Sequence, residues 1–184
     1  MQLRNSSERY GLVSVLLHWL VAIAVFGLFA LGWWMMDLDY YSPWRQTAPF
    51  IHKSLGIVLF AVMLLRLLWR LLTPAPLPIA SHSQTTRRLA HLGHSALYIG
   101  LFVLMISGYL ISTADGRAIE VFGLFSVPAL ISGLPNQEDL AGKVHEYLAW
   151  ALVIFALLHG AAALKHHFID RDATLVRMLG RTKK

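Results

Sequence analysis

The sequence contains no cysteine among its 184 residues. This absence excludes disulfide bonds, cysteine-ligated zinc, iron–sulfur clusters and covalent haem attachment through a C-x-x-C-H motif. Charged side chains are also scarce, at 14% of the residues, whereas hydrophobic residues make up 57%. These proportions lie outside the range of ordinary soluble domains and indicate several membrane spans in one compact unit. Because cysteine is absent, any redox centre must be held by histidine or bound non-covalently.

Four apolar segments are each long enough to cross a hydrocarbon layer of about 30 Å as a helix. They lie at residues 11–36, 52–72, 89–113 and 141–164, and residues 165–184 form a tail. Backbone polar groups must be paired inside lipid, so we expect helices. The sequence predicts an all-α fold, a four-transmembrane-helix bundle forming a single membrane domain. The first segment is too long for a removable signal peptide and lacks a small-residue cleavage site, so we expect a signal anchor.

The 16 lysines and arginines are divided unevenly between the two sides of these spans. Twelve share a side with the N-terminus: Arg4, Arg9, Arg66, Arg70, Arg87, Arg88, Lys165, Arg171, Arg177, Arg181, Lys183 and Lys184. Only four lie opposite: Arg45, Lys53, Arg117 and Lys143. Basic residues favour the cytoplasmic side, which predicts that both termini are cytoplasmic. Membrane anchoring also explains the net charge of +6, so we do not expect nucleic acid as a partner.

The opposite, outer side is acidic and contains the longest loop, residues 114–140. Against its four basic residues stand seven acidic ones, a net charge of −3: Asp37, Asp39, Asp115, Glu120, Glu138, Asp139 and Glu146. Pro128, Gly133 and Pro135 lie among apolar residues in this loop. We expect the loop to lie along the outer membrane face as a short helix.

Two histidines of the fourth span, His145 and His159, are 14 residues apart. At about 100° per residue they share one helix face, roughly 21 Å apart along the axis. With the predicted orientation, His52 lies at the outer level of His145, and His18 lies at the cytoplasmic level of His159. Ionisable residues at membrane depth are usually functional. We interpret the four histidines as metal ligands that bind two stacked haems, which predicts an electron conduit.

The residue four positions after each of these histidines is small. These residues are Ala22, Gly56, Ala149 and Ala163. A flat haem needs such space beside each ligand helix, whereas the other five histidines are followed at the same offset by Thr, Ser, Tyr, Asp or Arg. Two alternatives remain open: histidines that hydrogen-bond between helices as structural contacts, and a proton relay in a haem-free transporter.

Arg66 and His94 are candidate cofactor-binding residues at the cytoplasmic level. Arg66 follows His52 by 14 residues, so its guanidinium is predicted to pair with a haem propionate. The alternative is that Arg66 and Arg70 extend to the interface as anchors. His94, one turn before Tyr98, is predicted to bond a propionate, shape a quinone pocket or replace an axial ligand.

The remaining histidines have less specific interpretations. His91 has the same three candidate roles as His94, and a structural or interfacial role is also open for it. His82 in the proline-rich loop is expected to be solvated. His166 and His167 follow the fourth span at the aqueous boundary. Histidine exchanges protons near neutral pH, so these two are either partners of a quinone head group or interfacial anchors.

The chain resembles the bacterial cytochrome b561 family over nearly its whole length. The residues that carry the likeness are Leu17–Leu20, His52–Gly56, Arg66–Arg70, Ala90–His94, and the closing segment from His145 through His159–Ala163 and Lys165–His167 to Arg177–Leu179. The resemblance implies two haem b groups in the bacterial inner membrane, with His18 and His159 ligating one and His52 and His145 the other. It also implies electron exchange with ubiquinone or ubiquinol.

Two further functions are open. Some members of that family are superoxide oxidases, which pass electrons from periplasmic superoxide to ubiquinone. A negative outer side does not attract an anion broadly, although Lys53 and Lys143 are candidates for a local basic patch. The other alternative is a haem-bearing membrane anchor that delivers electrons for a separate soluble dehydrogenase or binding protein. A periplasmic electron donor or acceptor is a further candidate partner.

Overall fold

The computed structural model describes residues 2–181 of the chain, so Lys183 and Lys184 of the predicted cytoplasmic set lie outside the described residues. The elements in chain order are α1 (Leu12–Met36), α2 (Trp44–Leu72), α3 (Gln84–Ser112), β1 (Ile119–Val121), β2 (Phe125–Val127), α4 (Gln137–Phe168) and α5 (Thr174–Met178). The predicted all-α fold with four membrane-spanning helices is confirmed.

The four long helices have the length and surface of membrane spans. They contain 25 to 32 residues, which corresponds to about 37–48 Å at 1.5 Å per residue. Their outward side chains are apolar and exposed, as at Ile23 (70% exposed) and Leu71 (75% exposed). Exposed apolar side chains of this size and number are stable in lipid but not in water. The protein is therefore a membrane protein.

Three helices are longer than the apolar segments that predicted them. Helix α2 begins at Trp44 rather than His52 and continues through Pro49, α3 begins at Gln84, and α4 extends from Gln137 to Phe168. Hydropathy identifies only the part of a helix that lies in hydrocarbon, whereas polar turns extend the same helix into the interface. The extra turns carry residues such as Arg45, Arg87 and Lys165.

The expectation of a short helix in the loop 114–140 is wrong. Residues 119–127 form an antiparallel hairpin in which Ile119 pairs with Val127 and Val121 pairs with Phe125. β-Branched and aromatic residues favour strands, and the turn between them contains Phe122 and Gly123, both with positive φ. The described residues after β2, from 128 to 136, contain no helix.

The chain forms two compact units, and each long helix contributes to both. The first unit contains the chain up to Ala22, Val62–Tyr98, and the chain from Ile154. The second contains Ile23–Ala61 and Ile99–Val153. His18, His94 and His159 belong to the first unit, and His52 and His145 belong to the second. The single-domain organisation stays a prediction.

Candidate functional site

In the second unit, the structure brings together His52 of α2 and His145 of α4. Their ring centroids are 6.2 Å apart and their planes make an angle of 73°. Both residues are half-buried. This is one of the two pairs expected from the matched depths of the histidines.

His145 is held in a defined orientation by α3. Its Nδ1 lies 2.9 Å from the carbonyl oxygen of Leu104 and 3.2 Å from Oγ of Ser107. The Ser107 hydroxyl donates to the same carbonyl at 2.7 Å. A carbonyl only accepts hydrogen bonds, so Nδ1 of His145 carries the proton and Nε2 keeps its lone pair. That tautomer leaves Nε2 available as a metal ligand, with the other ring N–H held by a backbone carbonyl.

Two glycines lie directly against the imidazoles of this pair. A Cβ placed on Gly32 of α1 would lie 3.1 Å from Cε1 of His52, and one on Gly108 of α3 would lie 2.9 Å from Cε1 of His145. Glycine in a helix interior is destabilising relative to alanine, so a close approach explains its presence at these positions. The two glycines form a cradle for the histidine rings.

His52 has an unpaired polar atom. Its Nδ1 is buried and has no hydrogen-bond partner among the described residues. A buried unpaired nitrogen costs free energy, and ligand sites are one place where such groups occur. One turn further along α2, a Cβ at Gly56 would meet no atom within 4 Å, so the helix is open at the position where the sequence predicts space for a flat group.

In the first unit, two histidines lie near His159 of α4. His18 of α1 has its ring centroid 6.5 Å from that of His159, with the planes at 58°. His94 of α3 is closer, at 5.2 Å in an edge-to-face arrangement. All three rings are half-buried.

The centroid distances distinguish these contacts. For a metal–nitrogen bond of about 2.0 Å, and about 1.15 Å from a ring nitrogen to its centroid, two imidazoles across one metal ion have centroids roughly 6.3 Å apart. The His52–His145 and His18–His159 pairs, at 6.2 and 6.5 Å, fit this separation. The His94–His159 pair, at 5.2 Å, is a direct ring contact that is too short for it. The separations of the first two pairs are therefore compatible with two imidazoles on one metal ion, whereas that of His94 and His159 is not. The ligand assignment stays a prediction.

Arg66 contacts one of these histidines directly. Its Nη2 lies 3.0 Å from Nδ1 of His18, and its guanidinium lies 5.3 Å from the ring centroid of Tyr98, as does that of Arg70. Arginine only donates, so Nδ1 of His18 accepts and the proton of a neutral His18 lies on Nε2. Ligation through Nε2 therefore requires Arg66 to release Nδ1. A propionate contact of Arg66 stays a prediction.

Of the other four histidines, one is exposed, two contact a carboxylate and one has a buried nitrogen without a hydrogen-bond partner among the described residues. His91 is exposed at the start of α3. The expectation that His82 is solvated is wrong, because its Nε2 lies 2.7 Å from Oδ2 of Asp172 and the side chain is only 16% exposed. His166 also contacts Asp172, at 2.9 Å. Nδ1 of His167 is buried without a partner among the described residues.

Sequence reasoning missed four residues that shape the His52–His145 pair: Gly32, Gly108, Leu104 and Ser107. The glycines had a signal, since each interrupts an apolar helix where alanine would be more stable. Leu104 had none, because its contribution is a backbone carbonyl that every residue has.

Comparison with known proteins identifies the family. The sequence model described as prokaryotic cytochrome b561 matches residues 9–181. The chain is 53% identical over 182 residues to cytochrome b561 homolog 2 of Escherichia coli (strain K12), covering 99% of this chain and 97% of that protein. It is 31% identical over 176 residues to "Probable superoxide oxidase CybB" of Yersinia pestis, covering 94% and 96%. It is also 30% identical over 184 residues to cytochrome b561 homolog 1 of E. coli, covering 96% and 99%.

Each match covers nearly the whole of this chain and of the related protein. The matches agree with the four membrane helices and with the histidines that the helices bring together. This chain belongs to the prokaryotic cytochrome b561 family.

Proposed function

We propose that the protein is a dihaem b-type cytochrome that carries single electrons across the bacterial inner membrane and exchanges them with ubiquinone. Family membership implies haem b and electron transfer. The number of haems, their ligands and the quinone are our proposal. His18 and His159 would hold one haem, and His52 and His145 the other.

The observation that carries the proposal is the presence of two histidine pairs whose ring centroids are 6.2 and 6.5 Å apart. Haem iron with two histidine ligands cycles between ferrous and ferric states and so accepts and releases single electrons. The protein's part is to position the imidazoles. Leu104 and Ser107 hold His145 with Nε2 free, and Gly32 and Gly108 allow helices α1 and α3 to approach the ligand rings.

Arg66 and His94 are proposed to serve the haem of the first unit without ligating it. Arg66 supplies positive charge beside His18, which is suited to a propionate. His94 packs edge-to-face on His159 and so restricts the orientation of that imidazole. The half-buried position of His94 also places an exchangeable proton near the ligand.

The proposed orientation has both termini in the cytoplasm. Twelve of the 16 lysines and arginines lie on the side of the N-terminus and the tail, and four lie on the other side. The proposed orientation depends on this excess. The outer side carries a net charge of −3, which does not favour broad attraction of an anionic donor.

A second candidate is superoxide oxidation, in which periplasmic superoxide donates the electron and ubiquinone accepts it. The observation in its favour is the 31% identity to a relative named as a probable superoxide oxidase. Lys53 and Lys143, on the same helices as His52 and His145, are the residues expected to attract the anion.

An anaerobic stopped-flow experiment tests the proposal. The purified ferric protein is mixed with ubiquinol, and reduction is followed at the b-type absorption bands. We expect reduction of both haems by ubiquinol. No reduction by ubiquinol, together with rapid reduction by a superoxide generator in a separate air-equilibrated mixing that superoxide dismutase abolishes, would favour the second candidate with superoxide as donor. Absence of b-type bands would overturn both.

A further inference from the structure

A cluster of metal-ligating side chains lies in the first unit apart from the proposed haem ligands. It consists of His82 from the loop between α2 and α3, His166 from the last turn of α4, and Asp172 from the segment before α5. Each residue offers one ligand atom, and the three atoms lie within 4.8 Å of one another.

The two imidazoles converge on one carboxylate oxygen. Nε2 of His82 lies 2.7 Å from Oδ2 of Asp172, and Nδ1 of His166 lies 2.9 Å from the same atom. The other oxygen, Oδ1, accepts the backbone N–H of Thr174 at 2.7 Å. The carboxylate is thus held at one oxygen by the backbone and directs the second towards both nitrogens.

The surroundings favour a charged carboxylate that is buried beneath two partly exposed imidazoles. Burial by itself raises the pKa of Asp172, but hydrogen bonds from Thr174 and His82 and the nearby His166 outweigh it and lower the pKa below its usual value. The side chain of Asp172 is 6% exposed, whereas His82 and His166 are 16% and 18% exposed. Asp170 adds a second carboxylate, 2.9 Å from Nδ1 of His166, and is paired with Lys165.

We propose that His82, His166 and Asp172 bind a divalent cation with the ligand preference of Zn²⁺. Two imidazoles and one carboxylate form a three-residue zinc site, in which water or Asp170 supplies a fourth ligand. Imidazole suits zinc and its transition-metal neighbours, whereas Mg²⁺ and Ca²⁺ prefer oxygen ligands. The site is independent of the proposed haems, because it shares no ligand with them.

A cation bound at this cluster would connect two segments that are distant in the sequence. His82 and Asp172 are 90 residues apart, so one ion would join the loop 73–83 to the segment after α4. These segments already meet where Arg177 donates to the carbonyl of Leu77 at 2.8 Å. A ligand that binds only the folded chain stabilises it, and a cross-link between distant segments restricts the unfolded chain most. We therefore expect bound Zn²⁺ to hold the loop 73–83 against the segment after α4 and to stabilise the folded protein.

The test measures Zn²⁺ binding to the purified holoprotein in detergent by isothermal titration and by metal analysis after dialysis. We expect one Zn²⁺ per chain and a higher unfolding temperature with Zn²⁺ but not with Mg²⁺. His82→Gln is the main variant because its amide still donates to Asp172 but is a poor zinc ligand. This variant should keep its haem content and bind Zn²⁺ at least about 100-fold more weakly. Losing a direct metal ligand weakens metal binding more than losing a residue that only contacts a ligand.

His91→Ala, which removes an exposed histidine of α3, is the matched control and should bind Zn²⁺ like the unaltered protein. His166→Gln provides a second variant should His82→Gln fail to fold. Equal Zn²⁺ affinity in His82→Gln and the unaltered protein, or no Zn²⁺ retained after dialysis of the unaltered protein, would overturn the proposal. Neither result bears on the haem ligands, which are scored by haem content alone.

Discussion

The Nδ1 atom of His145 donates to the backbone carbonyl of Leu104 across 2.9 Å, so α3 determines which nitrogen of this α4 imidazole is free. Ser107 supports the same contact, with its Oγ 3.2 Å from Nδ1 and 2.7 Å from the carbonyl oxygen. His52, on the opposite side of the pair, has no such partner among residues 2–181. The two imidazoles are therefore held differently, one by hydrogen bonding and the other by packing against Gly32.

Replacing a proposed ligand should remove one haem and leave the other. We expect His145→Ala to lose the haem of the second unit while the protein keeps that of the first, because no other described histidine ring contacts His52. A pyridine haemochrome assay related to protein concentration measures the loss. Full haem content in His145→Ala would contradict the ligand assignment, and His91→Ala is the control for a histidine outside both pairs.

Replacing His18 and replacing His94, the two neighbours of His159, should have opposite effects on haem content. The centroid distances of 6.5 and 5.2 Å place His18, but not His94, at metal-bridging separation. His18→Ala should therefore lose the haem of the first unit, whereas His94→Ala should retain it with a changed low-spin electron paramagnetic resonance signal. The reverse pattern, with haem lost only in His94→Ala, would make His94 the ligand.

The glycine cradle predicts a steric effect on the ligand ring. In Gly108→Ala the new methyl carbon would lie 2.9 Å from Cε1 of His145, closer than van der Waals contact, so the imidazole must move. We expect weaker haem retention or a shifted low-spin signal for this haem. Gly27→Ala is the matched control, since a Cβ there meets nothing within 4 Å and gains up to about 1 kcal/mol of helix propensity. Identical spectra for both variants would argue against the cradle.

Arg66 should set the potential of one haem. Removing its positive charge in Arg66→Leu favours the ferric form, which carries the more positive charge, so the midpoint potential of the first unit's haem should fall. A shift of roughly 50 mV corresponds to a Coulomb interaction of about 1 kcal/mol in a partly screened site. A spectroelectrochemical titration should show one wave moving and the other unchanged, and Arg66→Lys should restore most of the potential. Two unmoved waves would indicate that Arg66 is only an interfacial anchor.

Ser54 connects the hairpin to the helix that carries His52. Its hydroxyl is fully buried, donates to the carbonyl of Glu120 at 3.3 Å and accepts from the backbone N–H of Phe122 at 3.1 Å. Ser54→Ala leaves that N–H unpaired and should lower the free energy of unfolding by about 1–3 kcal/mol, measured by denaturation in detergent. Ser112→Ala, whose hydroxyl bonds only within α3, is the control. Equal stability of the two variants would exclude this role.

Residue type and spacing were sufficient to predict the spans and the histidine pairs. Composition decides whether a segment enters lipid, and a helix is then required to pair its backbone, so four spans and their approximate positions follow from the chain alone. The depth of a histidine within a span is also a sequence property, which is why His52 was matched with His145 and His18 with His159. The hairpin was missed because nine residues of β-forming sequence lie within a loop whose composition resembles an interfacial helix.

The sequence by itself therefore determined that this chain lies in a membrane, that it is mostly helical, and which of its histidines lie close together in pairs. Only the tertiary structure decided which residues surround them. Three features depend on the rotation and packing of segments that are distant in sequence. They are the close approach of Gly32 and Gly108 to the histidine rings, the hydrogen bond to the Leu104 carbonyl, and the convergence of His82, His166 and Asp172. Those quantities are determined by the sum of many weak contacts between helices, whereas the partition of a segment into lipid is determined by its own side chains.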